Sequence, residues 1–123
     1  MITTGNGVPP HAWVFLAIFA AVEEAATDGR GEPLIQEICE KFHFFRTQGI
    51  SLGISLSSVP GEGYDSFEVR RKAKEYCACG LAVKNNPLTF TEKGMAVLRA
   101  EFERDLKKYG SEFERVARLV GLI

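Results

Sequence analysis

Cys39 and His43 stand four residues apart, and Cys77 and Cys79 are separated only by Ala78. On a helix the first pair would share a face, so the four side chains make a conceivable Cys₃His set of the kind that holds zinc tetrahedrally. The pair Cys77 and Cys79 lacks the Cys-x₂-Cys spacing common in structural zinc sites, and a small thiol at Cys77 equally suits an apolar helix face. Buried or incidental thiols are the favoured reading, with no bound metal and no cofactor. A second group is cationic: Arg70, Arg71 and Lys74 crowd one short segment. Arg can be bidentate to guanine while Lys acts as a point charge on phosphate, which suits duplex DNA. The bland alternative is a solvated helix face balanced locally by Glu68 and Glu75.

Catalysis finds little support. His11 and His43 are the only histidines, and there is no Gly-x-Ser-x-Gly, no His-Glu-x-x-His and no phosphate-cradling loop. No enzyme is expected. The 123 residues suffice for one domain, and 46% hydrophobic residues with 25% charged ones give a globular composition. Fifteen basic against sixteen acidic residues leave a formal charge of −1, so any nucleic-acid site must be a local patch. Three cysteines, an odd number, point to thiols in a reducing, cytoplasmic setting. The longest apolar run, Ala12 to Val22, is far shorter than the ~20 residues that span a bilayer, so no membrane partner is expected.

Several elements must position these groups. Residues 1–10 read as an N-terminal tail, followed by a single domain over 11–123. A helix is predicted from His11 to Thr27; being apolar on every side over Ala12–Val22, it is either central in the fold or shared with a second subunit. A second, amphipathic helix is predicted from Pro33 to Arg46. Ile50 to Ser57 alternates aliphatic with small polar residues, which predicts a half-buried strand. Pro60, Gly61 and Gly63 then make a loop. Asp65 and Glu68 have the spacing of a capping box, so a third helix should run from Asp65 to Cys79 with Asp65 as its cap. Its Val69, Ala73, Tyr76 and Cys77 fall in one arc and its cations roughly opposite. Gly80 closes it. Leu81–Lys84 and Leu88–Thr91 read as a small hairpin. From Thr91 an apolar stripe of Met95, Leu98, Phe102, Leu106, Tyr109, Phe113, Val116 and Val120 predicts terminal helices, divided near Gly110 and Ser111.

The stretch from Phe67 to Leu98 resembles winged helix-turn-helix transcriptional regulators. In that family a recognition helix ends at Gly-Leu, as at Gly80-Leu81, and a wing hairpin leads into a motif like Leu88-Thr89-Phe90-Thr91-Glu92-Lys93-Gly94. Leu34–Phe42 looks like the first helix of the pair.

The resemblance implies an α+β, mostly helical winged-helix domain with a small antiparallel hairpin and a C-terminal helical extension over about 92–123. It implies a sequence-specific transcriptional regulator that binds double-stranded DNA. Arg70, Arg71 and Lys74 would enter the major groove, Lys84, Asn85 and Asn86 at the hairpin tip would follow the backbone or minor groove, and Lys93 would add a phosphate contact. A homodimer is expected, joined through the first helix and the C-terminal stripe. The chain departs from the family in Thr47–Tyr64, eighteen residues where a short turn is usual. If that insertion blocked the groove-facing side, the fold would serve as a protein–protein interaction module instead. A thiol- or metal-responsive regulator on the same fold is a third possibility.

Overall fold

The computed structural model describes residues 8–28, 35–50, 52–61, 63–83 and 88–123. Its order is α1 (Pro10–Asp28), α2 (Ile35–Thr47), β1 (Ser57–Val59), β2 (Gly63–Asp65), α3 (Phe67–Ala78), β3 (Ala82–Val83), β4 (Thr89–Phe90), α4 (Glu92–Tyr109) and α5 (Ser111–Leu119). The architecture is α+β, with five helices and two small antiparallel two-stranded sheets among the described residues.

The all-round apolar character of α1 has a direct cause. It is the central rod, packed by α2, α3 and α4. Every residue from Ala12 to Ala21 is buried, and Trp13 and Phe15 meet Phe113 of α5 at ring-centroid distances of 5.6 and 6.2 Å. Phe19 meets Phe102 of α4 at 5.6 Å. Each such buried side chain contributes about 1.5–3 kcal/mol relative to exposure. The same contacts bury Phe102, Phe113 and Val116, three members of the C-terminal stripe, within the single chain. Both surfaces expected to form a dimer seam are thus largely used in the chain's own core. Val8 and Pro9 are buried as well, so the packed structure begins inside the segment read as a tail.

The strand expected over Ile50–Ser57 is absent: residues 52–56 have no regular structure, and pairing begins only at Ser57. The alternation still records burial, because Ile50, Leu52 and Ile54 are buried while Gly53 and Ser55 are exposed. Gly53, at φ 69°, turns the chain out of the extended region, and side chains take over where a ladder would be. Arg46 donates to the Ile54 carbonyl at 2.9 Å, and the Ser55 amide donates to Glu68 at 3.0 Å. The strands β1 and β2 then pair Ser57 with Asp65 and Val59 with Gly63. This hairpin packs on α2, where the Tyr64 ring stacks on His43 with centroids 4.5 Å apart. It forms a sheet separate from β3–β4 rather than adding a strand to it.

Candidate nucleic-acid interface

The helix α3 is fixed at both ends. Its N-cap is Ser66, one residue later than the sequence suggests: the Ser66 hydroxyl accepts from the Val69 amide. Asp65 is free for another role and accepts from Arg70 Nε at 2.5 Å and from the Ser66 amide at 2.9 Å. Glu68 reaches back to the Ser66 hydroxyl and the Ser55 amide. At the other end the Gly80 amide donates to the Cys77 carbonyl and the Leu81 amide to the Tyr76 carbonyl. With Gly80 at φ 75°, this is the paired bonding of a Schellman stop, and buried Leu81 supplies its apolar contact.

The core face of α3 is Val69, Ala73 and Tyr76. Tyr76 donates to Glu101 of α4 at 2.6 Å, and its ring meets Phe90 of β4 edge-on at 5.5 Å. Burial and the Glu101 carboxylate push the Tyr76 phenol well above its usual range. This one side chain therefore ties α3 to both the hairpin and α4.

Arg70, Arg71 and Lys74 are all exposed. At about 100° per residue they share the outward arc with Phe67 and Ala78, opposite the core face. They are not equivalent. Arg70 is paired with Asp65. Arg71 lies over the Phe67 ring, 5.9 Å from its centroid, and lines a cleft of about 270 Å³ beside His11 at the start of α1. Neither Arg71 nor Lys74 has an ion-pair partner among the described residues. The carboxylates of α3 are committed elsewhere, Glu75 to Lys72 at 3.4 Å and Glu68 to the cap. The hairpin after α2 reaches this face at Arg70, through Asp65 at the end of β2, while Arg71 and Lys74 stay exposed.

The hairpin β3–β4 follows at once, with Ala82 opposite Phe90 and Val83 opposite Thr89. The expected tip contacts Lys84, Asn85 and Asn86 lie outside the described residues. Lys93 is exposed on the first turn of α4, next to β4. The segment Thr91–Gly94 docks on one atom, the Leu81 carbonyl oxygen, which accepts from the Thr91 amide and hydroxyl at 3.0 Å each. The Thr91 hydroxyl in turn accepts from the Gly94 amide at 3.0 Å. A Cβ on Gly94 would fall 1.9 Å from that carbonyl oxygen, so the position requires glycine.

The conceivable metal set does not come together. Cys39 is buried in the core, and burial pushes its thiol up to about 12. His43 is stacked on Tyr64, and Cys79 is the exposed C-cap of α3. Among the described residues, no three His, Cys, Asp or Glu side chains are grouped to hold a metal ion. None of the described helices is long and apolar enough to cross a membrane. A groove of about 640 Å³ lies between α1, α2, α4 and the end of α5, and no residue of α3 lines it.

No protein-family model, curated protein or solved structure matches this chain. One participant was not singled out from the sequence: Phe67, 73% exposed, the most exposed large apolar side chain among the described residues. Its signal was present in the helical arithmetic, which puts Phe67 between Arg71 and Lys74 rather than with Val69 and Ala73.

Proposed function

We propose that this chain is a sequence-specific transcriptional regulator of the winged-helix type, with α3 as the helix that enters the major groove of duplex DNA and β3–β4 as the wing beside it. The observation that carries this reading is the outward face of α3, where Arg71 and Lys74 are exposed and make no ion pair among the described residues. A groove about 12 Å wide accepts a helix of this diameter, and the exposed donors match base edges and phosphates. Lys93, and the hairpin tip at Lys84, Asn85 and Asn86, would extend the contact along the backbone. The free thiols suit a reducing, cytoplasmic setting. A homodimer on a two-fold operator would need a seam outside the buried faces of α1 and α5; partly exposed Leu119 and Ile123 at the chain's end offer apolar surface for one.

The competing reading is a protein-interaction module, favoured by the exposure of Phe67 and of Val83 on β3. Selection of bound sequences from a randomised duplex pool separates the two. Enrichment of a defined sequence, lost in the Arg71→Ala, Lys74→Ala double variant, supports the regulator. A pool that emerges unenriched, with the variant indistinguishable from the parent, supports the module.

A further inference from the structure

Phe67, Arg71, Lys74 and Ala78 follow one another at steps of four, three and four residues, and all four are exposed. At 1.5 Å per residue the stripe runs about 16 Å along the helix, the length of about five base steps. Its first member is aromatic, its middle cationic and its last small. The ring is 73% exposed, carries the Arg71 guanidinium over one face, and belongs to the residue that opens the helix. Helices that read the major groove contact base edges through their N-terminal residues. The apolar feature on those edges is the thymine 5-methyl group, which phenylalanine can contact.

Building on the DNA-binding reading above, we infer that Phe67 is a specificity-determining residue that packs its ring on a thymine methyl in the major groove. Arg71, held over that ring at 5.9 Å, places its guanidinium within two base steps of the same thymine, so the recognised sequence carries a guanine within two steps of it. Lys74, one turn further on, supplies a phosphate contact. The cations provide the attraction, and the ring chooses among sequences.

The test uses the full chain and a duplex enriched from a random pool of ~20 base pairs, about two helical turns. That duplex is resynthesised with uracil replacing thymine at one position at a time, which removes only the methyl group, and binding is followed by fluorescence anisotropy. One position should lose about fourfold in affinity on thymine-to-uracil exchange, the effect of one buried methyl. Phe67→Ala should lose a similar factor on the thymine duplex and be indifferent to the exchange at that position. Because Phe67 is exposed, the variant's fold is checked directly by circular dichroism, and Phe67→Leu should restore part of the discrimination. Equal affinity of the parent for every thymine and uracil duplex, or equal discrimination by Phe67→Ala, overturns the inference while leaving DNA binding intact. Absence of any duplex binding at low salt overturns the DNA-binding reading itself, and this inference with it.

Discussion

The carbonyl oxygen of Leu81 and the α-carbon of Gly94 approach so closely that a Cβ on the latter would lie 1.9 Å from the former. That approach, with the two bonds from Thr91 to the same oxygen, joins the end of α3 to the start of α4 across the hairpin. It gives the Gly-Leu and Leu-Thr-Phe-Thr-Glu-Lys-Gly motifs a shared physical purpose: one stops the helix and presents the carbonyl, the other caps the next helix against it.

Gly94→Ala should therefore destabilise the protein by about 2–3 kcal/mol or more, because the clash is with backbone that cannot swing aside. Denaturant unfolding reads this as a lower midpoint at unchanged slope. A change within about 0.5 kcal/mol would show that the junction can relax and does not fix α3.

Asp65 holds Arg70 at 2.5 Å beside the cationic face. Asp65→Asn keeps an acceptor for the Ser66 amide, removes a negative charge and releases Arg70. Duplex affinity should rise and the salt dependence should steepen by up to about 0.9 in log–log slope, one further phosphate contact. Weaker binding with normal folding would place Asp65 itself in the contact.

Alkaline stability should be governed by two groups. Burial pushes the Cys39 thiol from 9.0 up to about 12, and burial with the Glu101 bond pushes Tyr76 above its usual 10.0. In both cases the fold prefers the protonated form, so the unfolded chain releases its proton first and stability falls as pH rises. The contribution of Cys39 is complete below about pH 9 and lost between about 9 and 12, with a slope of about 1.4 kcal/mol per pH unit. Cys39→Ala should flatten the fall above pH 9, and Tyr76→Phe the added fall above pH 10. An unfolding midpoint that does not change between pH 8 and 11 contradicts both assignments.

Asp105 is 1% exposed, with one oxygen bonded to exposed Arg104 at 3.0 Å and the other without a partner among the described residues. A half-satisfied buried carboxylate costs more in desolvation than its pair returns. Asp105→Leu, which removes both the charge and the orphaned oxygen, should raise stability by about 1 kcal/mol in thermal or denaturant unfolding. A loss of that size would mean that the charge is matched in the folded protein.

Legibility in the sequence followed the range of the forces involved. The five helices were readable because apolar residues such as Ile38, Phe42 and Phe45, or Leu98 and Phe102, recur at the period that buries one face. Gly80 and Gly110 ended helices as expected, both at positive φ. Ile50, Leu52 and Ile54 show the limit of such reading. Period two correctly gave a buried face, but a strand also needs a neighbour to share hydrogen bonds, and that partner is a tertiary matter. Their segment is held by Arg46 and Glu68 instead. The cap moved from Asp65 to Ser66 for a related reason, since Asp65 found a cation five residues ahead. In the candidate site, the outward position of Phe67, Arg71 and Lys74 was legible from helical phase, whereas the capture of Arg70 by Asp65 required the neighbours' coordinates.

The most direct measurement is the salt dependence of binding to the enriched duplex, for the parent and for Arg71→Ala and Lys74→Ala singly and together. Log K should fall linearly with log salt, with a slope that loses about 0.9 for each phosphate-contacting cation removed, Lys74 being the clearest case. Binding that is absent at low salt, or a slope that stays the same in the double variant, would contradict the assignment of α3 as the DNA-contacting helix.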